Sequence, residues 1–112
     1  MKNILLIGGE GYIGNILCEN LISRDYNVTS YDNLIYKNNL CVLNKMNLMN
    51  YNFIYGDMLD VTNMKFAMQN SDAVILLAGL VGDPITKKYP NESSMINDQG
   101  VKNVIDLCAK QN

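Results

Sequence analysis

The sequence predicts an α/β fold in which a parallel sheet carries helices on both of its faces. Four short apolar runs of strand length occur along the 112 residues, at 4–7, 28–31, 53–55 and 73–77. Helical patterns, with apolar residues three and four positions apart, alternate with these runs. Alternating strands and helices form parallel crossover units, and right-handed crossovers from a central first strand give the order 3-2-1-4. We therefore expect an incomplete, doubly wound sheet of about four strands.

The helical segments differ in the strength of their pattern. The clearest patterns are formed by Ile13, Ile16, Leu17 and Leu21, and by Val101, Val104, Ile105 and Cys108. Residues 34–50 predict only a short helix, because asparagines interrupt the apolar spacing. Another short helix is expected after Asp60 or Thr62, either of which can serve as its N-cap. Residues 79–92 contain both prolines and are predicted to form a loop.

Composition and charge exclude several classes of protein. The chain has 9 basic and 11 acidic side chains and is 48% hydrophobic, which argues against disorder and against nucleic-acid binding. It has no histidine, and its cysteines (Cys18, Cys41 and Cys108) form no Cys-x-x-Cys pair, so we expect reduced core thiols and no metal site. The longest apolar run, 73–82, is too short to span a bilayer, which predicts a cytoplasmic protein with no membrane contact.

A glycine-rich segment directly follows the first predicted strand. Gly8, Gly11 and Gly14 fit the spacing G-x-x-G-x-x-G, and Gly9, Gly11 and Gly14 fit G-x-G-x-x-G. At the start of a helix, backbone amides and the helix dipole favour a pyrophosphate. We expect Gly8 to allow the tight turn, Gly11 to let a ligand approach the backbone, and Gly14 to let the helix pack on the strand. A strand-to-helix turn without a ligand is the alternative.

An aspartate marks the end of the second predicted strand. Asp32 lies 18 residues after Gly14, where a carboxylate can accept hydrogen bonds from the adenosine ribose of a dinucleotide. Its charge would repel a 2′-phosphate by about 1–4 kcal/mol at about 4 Å, depending on the local dielectric. This position favours NAD over NADP, although a simple Asp-Asn turn would also explain it.

Two further acidic residues lie near the predicted cofactor site. Glu10 lies inside the glycine-rich segment, where a carboxylate facing the ligand would weaken anion binding, so we expect its side chain to point to solvent. Asp57 follows the third predicted strand and could accept a hydrogen bond from the adenine amino group. A loop aspartate that caps the next helix is the alternative for Asp57.

Five motifs occur in an order that resembles one known family. They are "GGEGYIG", "YDNL", "GDMLD", "AVILLAGLVGDP" and "INDQGVKNVIDLC", and together they cover nearly the whole chain. In this order and spacing they resemble the NAD-dependent epimerase/dehydratase family, the extended short-chain dehydrogenases/reductases that act on nucleotide sugars. The resemblance implies a Rossmann-like fold and NAD as the cofactor.

The resemblance also implies roles for individual residues. The implied cofactor-binding residues are Gly8, Gly11, Tyr12, Ile13 and Gly14 at the pyrophosphate, Asp32 and Asn33 at the ribose, Asp57 and Met58 at the adenine, and Leu77, Ala78, Gly79 and Asn97 elsewhere along the cofactor. Val81 and Gly82 match the loop that borders the sugar-nucleotide site in the family. An ordinary helix residue is the alternative for Asn97, and a Gly-Asp-Pro turn needs no ligand to explain it.

The residues that perform the family's chemistry are not found in the sequence. The family uses a Tyr-x-x-x-Lys pair, in which the lysine and the cofactor lower the pKa of the tyrosine. None of the seven tyrosines has a lysine four residues later. We therefore expect residues 1–112 to be the N-terminal part of an NAD-binding domain, inactive without the rest of that domain and its substrate domain.

Two other hypotheses account for the same residues. In one, the chain is a stand-alone dinucleotide sensor or regulatory module. A second copy or a partner chain would then cover the apolar edge of its fourth strand. In the other, the fold has a purely structural role and binds no nucleotide.

Overall fold

The computed structural model describes residues 2–34, 39–77 and 99–111 of the chain. The strands in these ranges are β1 (Asn3–Ile7), β2 (Asn27–Asp32), β3 (Tyr51–Tyr55) and β4 (Ala73–Leu76). The helices are α1 (Tyr12–Ser23), α2 (Asn39–Lys45), α3 (Val61–Met68) and α4 (Val101–Gln111). Each predicted strand and helix is confirmed, with ends that differ by a few residues. The predicted loop at 79–92 lies outside the described residues.

The four strands form one parallel sheet in the order β3-β2-β1-β4. This order is the predicted one, and β1 and β2 are its central strands. Ile7 pairs with Tyr31 on one side and with Leu76 on the other, and Asp32 pairs with Tyr55. The carboxyl ends of all four strands therefore lie at one edge of the sheet, which is where ligands bind in open α/β sheets.

The sheet separates two hydrophobic cores, because successive side chains of β1 point to opposite faces. Leu5 and Ile7 join the first core, which is completed by α3 and α4 and contains the buried methionines Met58, Met64 and Met68. The second core contains Ile4, Leu6, Cys18, Val28 and Tyr51, and α1 covers it. Helices therefore pack on both faces, as predicted.

Only part of the predicted apolar pattern of α1 packs against the second core, namely Leu17 and Leu21. Ile13 is 65% exposed and Ile16 is 48% exposed, although both belong to the helical pattern. Gly14 and Cys18 are the buried residues of this helix. The difference arises because glycine at 14 lets the helix approach the preceding loop closely, so that side of the helix faces the sheet.

The helix α3 begins with a capping hydrogen bond. The Asp60 carboxylate accepts a hydrogen bond from the Asn63 backbone N–H at 3.1 Å. Of the two N-caps that the sequence allowed, Asp60 is confirmed, and Thr62 lies inside the helix.

Replacing Asp60 with alanine is expected to lower the free energy of unfolding by about 1 kcal/mol, because an N-terminal amide of α3 loses its acceptor. Urea unfolding followed by circular dichroism measures the change. Asp60→Asn keeps an acceptor and is expected to lose less. Equal losses for both variants would contradict a capping role.

The cysteines show no pairing in the described part of the chain. Cys18 is buried and Cys108 is half-buried, and both are free thiols. Burial raises the pKa of Cys18 to about 11, so its thiol stays protonated at neutral pH. Among the described residues there is no cluster of metal-binding side chains. None of their helices has the length and hydrophobicity needed to cross a membrane, and the cytoplasmic location stays a prediction.

Candidate functional site

The glycine-rich segment forms a tight loop between β1 and α1. The Gly8 N–H donates to the Tyr31 carbonyl at 2.8 Å, which extends the pairing of β1 with β2 by one residue. Gly8 has a φ of 88°, a conformation that favours glycine. Gly11 is the N-cap of α1 and has no side chain with which to cap the first turn. The amides at the start of α1 can therefore donate to an anion.

The glycines of this loop differ in how closely they are packed. A Cβ atom at Gly14 would lie 2.5 Å from the Gly8 carbonyl oxygen and 2.8 Å from Gly9 Cα. A Cβ atom at Gly9 would collide with the Ser30 side chain. At Gly11 the nearest atom would be 3.6 Å away, an ordinary contact. The protein itself therefore requires glycine at 9 and 14, whereas at 11 only a ligand would require it.

Asp32 is the last residue of β2, and its carboxylate is fixed by two backbone amides. Its Oδ2 accepts from the Glu10 N–H at 3.0 Å, and its Oδ1 accepts from the Leu34 N–H at 2.8 Å. Leu34 has a φ of 55°, in the left-handed region, so the chain changes direction just after the residue that donates to Asp32. Burial raises the pKa of Asp32, and these hydrogen bonds offset part of that effect.

Backbone hydrogen bonds continue past the strand ends and align the loops that follow. The Gly56 N–H donates to the Asp32 carbonyl at 3.1 Å, and the Leu77 N–H donates to the Ile7 carbonyl at 2.8 Å. Asp57 follows Gly56 directly. One edge of the sheet therefore carries the glycine loop, Asp32, Asp57 and Leu77. The four strands span three inter-strand spacings, which together measure roughly 14 Å.

The residues predicted to face the adenine lie in different surroundings. Asp57 is exposed, and its Oδ1 accepts from the Leu59 N–H at 2.9 Å. Because Asp60 caps α3, the alternative in which Asp57 caps this helix is wrong. The Tyr31 hydroxyl donates to the Asp57 carbonyl at 2.6 Å, and this hydrogen bond holds the turn that follows β3 against β2. The Met58 side chain is buried in the first core.

The remaining predicted residues are either exposed or outside the described ranges. Tyr12 is 85% exposed and, with Ile13, lies in the first turn of α1. Asn33 follows Asp32 at the end of β2, and Leu77 follows β4. The predicted residues outside the described part of the chain are Ala78, Gly79, Val81, Gly82 and Asn97.

Glu10 does not point to solvent, and that prediction is wrong. Its side chain is only 1% exposed, and its Oε1 lies 2.7 Å from the Lys45 Nζ. Its Oε2 accepts a hydrogen bond from the Tyr51 hydroxyl at 2.7 Å. Lys45 neutralises the carboxylate beneath the loop, which is why an acid is compatible with this position. Burial, followed by the hydrogen bond to Glu10 and its charge, raises the pKa of Tyr51.

The sequence reading missed Lys45, Tyr51 and Asn15, which complete this buried cluster. Lys45 is 3% exposed, and its Nζ also donates to the Asn15 Oδ1 at 2.8 Å. Lys45 is 35 residues from Glu10 and comes from the weakly patterned α2. The only available signal was an acid in a phosphate-type loop, which calls for a buried counter-charge.

Comparison with known proteins identifies similar sequences. The model of the NAD dependent epimerase/dehydratase family matches residues 4–112. A UDP-glucose 4-epimerase of Yersinia enterocolitica is 37% identical over an alignment of 91 positions, which covers 76% of this chain and 27% of that protein. A UDP-glucose 4-epimerase of Schizosaccharomyces pombe is 33% identical over an alignment of 113 positions, which covers 97% of this chain and 32% of that protein. The chain thus spans about a third of the length of these curated relatives.

Solved structures show the same fold. The X-ray structure of Pen from Bacillus thuringiensis has a TM-score of 0.87 at 27% identity, covering 98% of this chain and 34% of that one. The UDP-glucose-4-epimerase of Stenotrophomonas maltophila, solved with bound NAD and formylated UDP-arabinopyranose, has a TM-score of 0.84 at 26% identity. That match covers 96% of this chain and 33% of the other.

Proposed function

Because the chain belongs to the NAD-dependent epimerase/dehydratase family, we propose that residues 1–112 form the N-terminal part of a domain that binds NAD. The cofactor would lie across the carboxyl edge of the sheet. Its adenosine would be near β2 and β3, its pyrophosphate over the glycine loop, and its nicotinamide toward β4. This arrangement follows the order in which the predicted residues occur along the edge.

The observation that carries the proposal is the fixed carboxylate of Asp32. Both of its oxygens accept backbone hydrogen bonds, and these leave acceptor capacity for the two ribose hydroxyls. Close packing of Gly14 against Gly8 and Gly9 holds the start of α1 at the same edge. The loop and the carboxylate thus form a binding site suited to an adenosine with a pyrophosphate.

The proposal extends to the reaction of the longer protein. The substrate would be a nucleotide sugar, as the names of the relatives indicate, and bound NAD would supply the hydride acceptor. The catalytic Tyr-x-x-x-Lys pair would come from sequence beyond these residues, so the 112-residue chain would bind NAD without turnover. Val81 and Gly82 would border the sugar nucleotide, and Asn97 and Ala78 would lie near the cofactor.

Calorimetric titration of the chain with NAD tests the proposal, and Asp32→Ala is its most informative variant. We expect the variant to lose NAD affinity because the ribose loses its acceptor. We also expect it to discriminate less between NAD and NADP, because the repulsion of the 2′-phosphate is gone. Asp106→Ala, at an exposed position within α4, is the matched control. A wild-type chain that binds no NAD would refute the proposed function.

The pH dependence of binding provides a second test. Because burial raises the pKa of Asp32, its carboxylate takes up a proton at a higher pH than an ordinary aspartate does. The protonated group accepts ribose hydrogen bonds less well, so NAD affinity is expected to be constant near neutral pH and to fall on acidification. Titrations at descending pH measure this change. In Asp32→Asn this contribution to the pH dependence should be absent, and an unchanged profile would exclude Asp32 as its source.

A further inference from the structure

The buried cluster beneath the glycine loop joins separate elements of the fold. Lys45 ends α2, Glu10 belongs to the loop, Asn15 lies in α1 and Tyr51 begins β3. The Lys45 Nζ contacts both the Glu10 carboxylate and the Asn15 side chain, and it lies 5.0 Å from the centre of the Tyr51 ring. The Lys45 ammonium group therefore connects α2 to the glycine loop and to α1.

Glu10 is fixed at both of its ends. Its side chain is held by Lys45 and Tyr51, and its backbone N–H donates to the Asp32 Oδ2. A rotation of the loop that moved this N–H away from Asp32 would have to break the buried ion pair as well. The orientation of the Asp32 carboxylate is therefore coupled, through Glu10, to Lys45.

Stability alone does not account for the ion pair. Replacing a buried ion pair with apolar side chains of similar volume is often neutral or stabilising, because the desolvation of two charges opposes their attraction. The contacts of Glu10 fix the orientation of its side chain instead, since each carboxylate oxygen has one defined donor, Lys45 or Tyr51. Directional contacts of this kind fix a loop in one conformation, which apolar packing does less well.

We propose that Lys45 is a positioning residue of the dinucleotide site. Through Glu10 it holds the loop so that the Glu10 N–H meets the Asp32 carboxylate, and the carboxylate keeps the orientation that the ribose requires. Lys45 itself is buried and is hydrogen-bonded to Glu10 and Asn15, so the role assigned to it requires no contact with the ligand. This inference rests on the proposed function, because it assigns a role within that NAD site.

The test uses variants that separate stability from positioning. Lys45→Met alone leaves the Glu10 carboxylate buried without its counter-charge, which destabilises the fold. The double variant Glu10→Gln/Lys45→Met removes both charges, and the introduced amide can still accept a hydrogen bond from Tyr51. We expect the double variant to unfold near the wild-type urea concentration but to bind NAD about 5-fold to 50-fold more weakly. Lys65→Met, on the exposed side of α3, is the matched control.

The ratio of NAD affinity to NADP affinity is the decisive readout. A misdirected Asp32 carboxylate both binds ribose less well and repels a 2′-phosphate less, so the ratio should fall in the double variant. Wild-type affinity in the double variant, or equal losses for both dinucleotides, would overturn the inference. If the wild-type chain itself binds no NAD, the proposed function fails instead, and the two failures are therefore distinguishable.

Discussion

Replacing Gly14 with alanine is expected to displace α1 from the glycine loop and to abolish measurable NAD binding. The added Cβ would lie 2.5 Å from the Gly8 carbonyl oxygen and 2.9 Å from the Gly9 carbonyl carbon. These are backbone atoms, so no side-chain rotation relieves the overlap. We expect a loss of about 1–3 kcal/mol in the free energy of unfolding, as in other overpacked sites. Urea unfolding and calorimetry with NAD measure the two effects.

Gly11→Ala is the matched control for this experiment. Its Cβ would be 3.6 Å from the nearest atom, and its φ of −76° suits alanine. We expect the free energy of unfolding to fall by less than about 1 kcal/mol. The main effect should be weaker NAD binding, because the added methyl group lies where the pyrophosphate approaches the backbone. Equal stability losses at Gly11 and Gly14 would contradict the packing difference between them.

Lys45→Met is expected to destabilise the protein by about 3–5 kcal/mol, because the buried Glu10 carboxylate would lose its counter-charge. This is a large fraction of the stability of a small domain. Glu10→Gln/Lys45→Met is expected to recover most of the loss, since no buried charge remains. Thermal and urea unfolding measure both variants, with Lys65→Met expected to stay within about 0.5 kcal/mol of wild type. If Lys45→Met were as stable as wild type, the ion pair would not contribute to stability in the way proposed.

The fold and the position of the glycine loop between β1 and α1 could be predicted because their signals are local. Strand length, helical spacing and the glycine pattern each depend on neighbouring residues, and together they indicated the order of the sheet. The place of Asp32 at the end of β2 was predicted from its distance along the chain to the glycine loop. In each case, the structural constraint acts within one crossover unit.

The Lys45–Glu10 contact and the exposure of Ile13 could not be predicted in the same way. Both depend on how elements pack in space, and no local pattern reports the partner of a buried charge 35 residues away. The close packing of Gly14 leaves Ile13 and Ile16 exposed, while Leu17 and Leu21 of the same pattern pack against the second core. Tertiary packing decided these features, against the expectation from side-chain hydrophobicity alone.

The methionines of the first core give the two faces of the sheet unequal mutational tolerance. Met58, Met64 and Met68 have unbranched, adaptable side chains, so that face can absorb changes of shape by repacking. Gly14, by contrast, lies against backbone atoms of Gly8 and Gly9, which no side-chain rotation can move. Conservative substitutions of these methionines should therefore be tolerated better than any substitution of Gly14.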